Sequence, residues 1–183
     1  MGGKSAILTI VDNDNPIIGA EVGVWRGSLS RGLLTKLPLL TLHMVDLWQT
    51  WTPKDKTYDP GIDIMCRTPM DEFEGIYQSV LTMAGTFGNR AVVHRGESVL
   101  VAGSYPDDYF DFVFIDAEHS EAALTLDMAA WWPKVKPGGC LCGHDYGKPR
   151  FPGVSIAVHN FIKEHNMELE KIKQSCWFVR KEI

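Results

Sequence analysis

Short apolar runs bounded by turn residues alternate with helical patterns along most of this chain. That alternation is the signature of a parallel sheet covered by helices on both faces. The runs predict strands near 17–24, 41–46, 91–94, 111–116 and 138–143, with a final antiparallel pair near 167–172 and 175–181. The clearest helix is expected over about 69–85. Thr68 would cap it, Pro69 would take the first helical position, and Asp71 would complete a variant capping box. Phe73, Ile76, Tyr77, Val80, Leu81 and Ala84 then fall on one face. Val154, Ala157, Val158, Phe161 and Ile162 repeat the pattern after Gly153, and Ala123, Leu126 and Ala130 repeat it more weakly before Trp131. The expected architecture is α/β: a doubly wound, mostly parallel seven-stranded sheet with a C-terminal antiparallel strand pair, in one domain over 1–183.

Two segments resist the scheme. Residues 47–67 are too long for an ordinary connection, and loops of that length are usually functional lids or disordered stretches. Trp48, Trp51 and Tyr58 favour packing there, so the segment is expected to cover a pocket. Residues 144–153 follow the fifth strand, at the edge of an open parallel sheet that faces the ligand crevice.

At 183 residues and 45% hydrophobic, the chain has enough apolar surface for one substantial core. A net charge of −5 and the lack of a Lys/Arg run argue against a nucleic-acid partner. No apolar segment approaches the roughly 20 residues of a membrane span. The opening Met-Gly-Gly-Lys-Ser lacks the apolar core of a signal peptide, so a solvated terminus and a cytoplasmic location are expected. Cys140 and Cys142 sit two apart on a strand and would face the same side as small buried residues.

The chemistry begins at the end of the first strand, in Glu21-x-Gly23-x-x-x-Gly27. A second apolar run closes on Asp46, nineteen residues after Gly27. Strand, glycine turn, helix, strand and acid make a nucleoside-binding unit, in which a carboxylate accepts from ribose hydroxyls. The spacing departs from GxGxxG, whose loop cradles a pyrophosphate. An acid before the glycines would repel phosphate and suit a cationic ligand. The motifs continue in order through Asp116-Ala-Glu-His119, Trp132-Pro-Lys-Val-Lys-Pro-Gly-Gly139 and Gly143-His144-Asp145-Tyr146.

Over roughly residues 17–162 this set resembles the class I S-adenosylmethionine-dependent methyltransferases, most closely the small-molecule O-methyltransferases of the macrocin and catechol type. The resemblance implies a Rossmann-like fold, S-adenosylmethionine as cofactor and a sugar or aromatic hydroxyl of a small molecule as acceptor. By that likeness Glu21, Gly23 and Gly27 meet the cofactor's amino-acid end and Asp46 its ribose. Leu47 and Trp48 flank the adenosine, with core packing the alternative for Trp48, and Glu97 or Ser98 reads the adenine. Asp116 belongs to the cofactor edge and, with Asp145, to a divalent cation site; the family commonly has another acid where His144 stands. An imidazole ligand suits manganese, iron or zinc better than magnesium. A cation would lower the pKa of the acceptor hydroxyl while a base removes its proton. His119, with an ordinary pKa near neutrality, is the expected base and Asp116 the reserve. His43 and His94 lie within strand patterns and are expected to be structural. Arg26 would close over the cofactor or face solvent, and Trp25 and Tyr146 would wall the pocket or pack.

Family members often carry N-terminal helices that cap the site, whereas about sixteen residues precede the first strand here. The cover must therefore come from 47–67, from 146–153, or from a neighbouring subunit of a homo-oligomer. Two other functions fit the same pattern: a nicotinamide-dependent oxidoreductase, disfavoured by the glycine spacing and the lack of Tyr-x-x-x-Lys, and a non-catalytic binding protein.

Overall fold

The computed structural model describes residues 2–11, 14–50, 61, 63–172 and 175–183. Its strands are β1 (Ile17–Val22), β2 (Leu40–Asp46), β3 (Ala91–Arg95), β4 (Phe110–Ile115), β5 (Val135–Gly143), β6 (Glu170–Ile172) and β7 (Cys176–Arg180). They form one sheet in the order β3-β2-β1-β4-β5-β7-β6, with β7 antiparallel to both neighbours and the remaining pairs parallel. The chain order reverses between β1 and β4, so their carboxyl ends flank the crevice where ligands of this fold class bind. The mixed α/β class and the terminal antiparallel pair agree with the sequence pattern.

Side-chain alternation divides the core into two layers. Leu42, Met44, Phe112, Phe114, Cys140 and Cys142 face one side, where α2 (Ser28–Lys36) and α3 (Met70–Gly85) bring Leu33, Leu34, Phe73, Ile76 and Val80. Val45, Val113, Ile115 and Leu141 face the other, against α5 (Glu121–Trp131) and α6 (Pro152–Glu164). Each large side chain fully buried here is worth about 1.5–3 kcal/mol. Gly19 is where the two central strands need a missing side chain: a Cβ there would lie 2.2 Å from the Phe112 ring.

The expectations fail at four places, each for a physical reason. The segment before β1 carries a helix that no pattern announced: α1 (Gly2–Ile10) buries Ala6 and Ile7 against the α2 layer. The capping box of α3 does not form, since Pro69 is the N-cap and no side chain bonds the cap; Asp71 and Glu72 instead meet the positive end of the helix dipole. Leu81 and Leu126, placed on apolar faces by periodicity, are exposed. The buried stripe of α5 runs through Ala123, Leu124, Asp127, Met128 and Trp131, and a carboxylate inside it hides the pattern. Finally, β6 begins later than 167 because Asn166 takes φ +52° and Met167 N bonds Ile162 O at 2.9 Å, closing the end of α6.

Candidate active site

The glycine turn is built around Asp46. Gly23 (φ +90°), Trp25 (φ +53°) and Gly27 (φ +70°) all take left-handed backbone, which turns Val24 N and Trp25 N onto Asp46 Oδ2 at 2.9 and 2.8 Å. Trp48 N donates to Asp46 Oδ1 at 2.8 Å. Burial raises the Asp46 pKa while these backbone bonds lower it, with a net rise. The Leu47 amide also faces this carboxylate, so a hydroxyl donor would share its oxygens with these backbone groups. Gly23 admits no substitute: a Cβ would stand 2.1 Å from Asp116 O, because the ends of β1 and β4 touch there.

A cavity of about 390 Å³ opens beside this turn, within the range of small-molecule sites. Gly23, Asp46, Leu47, Glu97 and Ser98, all named from the sequence, line it. Trp131 Nε1 donates to Ser98 Oγ at 2.8 Å and fixes that hydroxyl, while Glu97 is exposed. Among the described residues, Glu21, Gly27 and Asp116 are not in its wall. Glu21 is buried, 2.5 Å from the Ser30 hydroxyl that donates to it. Burial pushes its carboxyl up to about 8, the Ser30 bond opposes this, and the negative charges of Asp116 and Asp46 add to it. A protonated Glu21 at neutral pH differs from the anionic group expected to repel phosphate.

Both limbs of the 47–67 segment contribute to the wall, through Leu47, Gln49 and Thr50 on one side and Met65 on the other. Thr50 Oγ1 donates to Thr68 O at 2.8 Å, joining the limbs. Trp51 and Tyr58 lie outside the described residues. Trp48 is core rather than an adenosine flank: it is fully buried, donates from Nε1 to Trp25 O at 2.9 Å and packs 5.0 Å from Tyr77. Arg26 faces solvent and pairs with Glu72, and Tyr146 pairs with His159 at 2.6 Å. His43 and His94 join Tyr105 in a hydrogen-bonded cluster one pleat below the cavity, at 2.7 and 2.8 Å from the phenol oxygen.

The second constellation gathers at the ends of β4 and β5. One donor atom each from Asp116, His144 and Asp145 lie within 4.8 Å of one another. His144 Nδ1 is 3.1 Å from Asp145 Oδ1 and 3.9 Å from Asp116 Oδ2. Asp145 takes φ +61°, a conformation that aspartate tolerates better than most residues. Asp145 Oδ1 is paired with the Lys148 ammonium and also faces the His144 ring. Two carboxylates and an imidazole converging within that distance, with a positive charge already drawn to Asp145, are a donor set that fits a divalent cation. Burial alone would raise the Asp145 pKa, but His119, His144 and Lys148 hold it well below the usual carboxylate range.

His119 sits in the middle of the cluster. Its Nε2 lies 2.9 Å from Asp145 Oδ2 and 3.5 Å from Asp116 Oδ1, its Nδ1 lies 3.1 Å from Asp63 Oδ2, and its ring stacks on Phe151 with centroids 4.0 Å apart. Burial lowers its pKa, yet the bonds to Asp116, Asp145 and Asp63 outweigh burial and hold it up to about 11. Without a cation the imidazole is thus an acid, whereas the sequence pointed to a neutral base. Neutrality requires another positive charge on Asp116 and Asp145. Asp63, Lys148, Phe151 and the cavity-lining Asp127 were not singled out from the sequence.

Comparison with known proteins supplies the family. The profile described as a methyltransferase domain matches residues 20–146, more than half of the chain. The mycinamicin VI 2''-O-methyltransferase of Micromonospora griseorubida is 28% identical over 107 residues, which cover 58% of this chain and 23% of that protein. The match thus spans about a quarter of the relative's own length. The crystal structure of CalS11, a calicheamicin methyltransferase, superposes with a TM-score of 0.73 at 15% identity, covering 97% of this chain and 76% of that one. MycE, a methyltransferase from the mycinamycin biosynthetic pathway in complex with Mg, SAH and mycinamycin VI, gives 0.59 at 17% identity, covering 93% and 45%. These two structural likenesses speak for the fold. The family match over more than half its length carries the conclusion that the chain belongs to the methyltransferase-domain family.

Proposed function

We propose that this chain is an S-adenosylmethionine-dependent O-methyltransferase that acts on a sugar or aromatic hydroxyl of a small molecule with the help of a divalent cation. The observation that carries this reading is the junction of the two constellations. Asp116 N donates to Val22 O at 2.8 Å, so the glycine turn and the Asp116–His144–Asp145 cluster share one corner of the sheet. A nucleoside seated along Asp46 and Ser98 would present its far end to that corner. Glu21, Gly23 and Gly27 would shape the amino-acid end, Asp46 would accept from the ribose, Leu47 would flank the adenosine, and Glu97 and Ser98 would read the adenine. The acceptor hydroxyl would approach the corner where His119 Nε2 meets the cation ligands. The cofactor supplies an electrophilic methyl group, and the cation supplies charge that acidifies the hydroxyl. The chain's own work is to align the oxygen, exclude water and accept its proton at His119 Nε2.

Calorimetry with S-adenosylhomocysteine and with NAD tests the reading. The homocysteine product should bind and NAD should not; the opposite result would remove the methyltransferase assignment in favour of the oxidoreductase. Asp46→Ala should weaken product binding by about tenfold to a hundredfold, since a hydrogen bond to a charged group is worth roughly 1.5–3 kcal/mol. It should also lower the melting temperature, because Val24, Trp25 and Trp48 lose their acceptor. Unchanged affinity in the folded variant would take Asp46 out of the site.

Glu21 adds a pH dependence. With its carboxyl pushed up to about 8, the folded chain holds a proton that the unfolded chain releases above the ordinary glutamate range. Stability from this group is therefore lost as pH rises towards 8. If the ionised carboxylate meets the cofactor's ammonium group, product affinity changes the other way. Measured in chelator, it should tighten by up to about tenfold per unit as pH rises towards that value. Glu21→Gln should flatten the profile, and an equally steep profile in the variant would assign the dependence elsewhere.

A further inference from the structure

Asp63 is a buried carboxylate in the irregular return limb of the 47–67 segment, and each of its oxygens makes a directed bond. Its Oδ1 accepts from Met65 N at 3.1 Å and caps the single 3₁₀ turn Ile64–Arg67, so the carboxylate is fixed by its own local structure. Its Oδ2 faces His119 Nδ1 at 3.1 Å, across 56 positions of sequence. Met65, whose amide Asp63 holds, lines the cavity beside the glycine turn. One side chain thus joins the wall of the nucleoside cavity to the imidazole at the end of β4.

We infer that Asp63 is a positioning residue for His119, holding the ring with its Nδ1 edge on the return limb and Nε2 turned to Asp116 and Asp145. An ionised carboxylate only accepts, so the nitrogen facing it must carry a proton. Phe151, stacked 4.0 Å from the ring at an interplanar angle of 15°, fixes the ring plane, and Asp63 fixes which edge points where. With Nδ1 taken by Asp63, Nε2 is the ring atom on the side of the cation ligands. An acidic partner that sets tautomer and orientation is a general device for histidines at reactive sites. The inference rests on the reading of His119 as base.

The test is nitrogen-15 NMR of the imidazole rings in the chain loaded with magnesium and S-adenosylhomocysteine, alongside turnover of an acceptor. The wild type should show a bonded Nδ1 proton on His119. Asp63→Asn, which keeps shape and can still hold Met65 N, should populate the other tautomer and lower kcat by about 10²–10⁴-fold, with product affinity changed by less than about threefold. Asp63→Glu should restore part of the rate, and Asp63→Asn on His119→Ala should slow the enzyme no further. A purely structural Asp63 would lower the melting temperature of every variant while leaving the tautomer unchanged. Persistence of the bonded Nδ1 proton in Asp63→Ala, or wild-type kcat in Asp63→Asn, overturns the inference. If His119→Ala itself keeps full turnover, the base reading fails, and the ring spectrum still decides whether Asp63 orients the imidazole.

Discussion

His119→Ala should slow methyl transfer by about 10²–10⁴-fold, the usual contribution of a positioned general base. Product affinity should hardly change, because His119 lies at the ends of β4 and β5 and is not part of the cavity wall. The variant also leaves Asp63, Asp116 and Asp145 facing one another without the imidazolium that now sits among them. In chelator its melting temperature should therefore fall, since the neighbouring carboxylates lose the positive ring that separates them. Divalent cation should recover part of that loss. Steady-state turnover with a sugar-bearing acceptor, set beside thermal melts with and without magnesium, checks both halves. A variant with near-normal kcat would pass the proton-accepting role to Asp116.

Removal of the cation should have a comparable effect. Exhaustive chelation is expected to abolish turnover, and added magnesium or manganese to restore it, with Asp145→Ala and Asp116→Ala insensitive to either ion. Two carboxylates and one imidazole are a mixed donor set. Oxygen ligands suit magnesium, whereas the imidazole shifts preference towards manganese, iron or zinc. The order in which ions restore the rate therefore reports whether His144 ligates. His144→Asp should move the preference towards magnesium. Full activity after chelation, with elemental analysis finding no metal, would leave a metal-free polar cleft in which His144 and Asp145 only organise the loop.

The parts of the site that follow from regular structure are legible in the sequence. Glu21, Gly23, Asp46, Asp116 and Asp145 lie at or next to strand ends, and a parallel sheet brings all its carboxyl ends to one edge, so convergence follows from topology. What those groups do to one another is less accessible. The backbone amides that occupy Asp46 depend on left-handed turns at Trp25 and Trp48, conformations that tryptophan rarely adopts and no pattern announces. Asp127 is hidden because it interrupts the apolar stripe of α5, and a cavity-lining carboxylate inside a helix face reads as a solvated position. Asp63 is hidden because nothing periodic surrounds it. Reading 47–67 as a pocket cover indicates the right region without nominating the residue. The first helix escaped because a short segment before β1 gains its order from packing Ala6 and Ile7, not from intrinsic helix propensity.

The contact between Gly23 and the Asp116 carbonyl has a bearing on how such a protein can diversify. Any side chain at Gly23 would push β1 from β4, shifting the nucleoside turn and the donor cluster in a single stroke. The two halves of the chemistry are mechanically one part, with no tolerance at the joint for gradual adjustment. Variation in acceptor choice must then accumulate in the 47–67 and 146–153 segments. Directed evolution towards a new acceptor should accordingly return substitutions there and leave the corner of the sheet untouched.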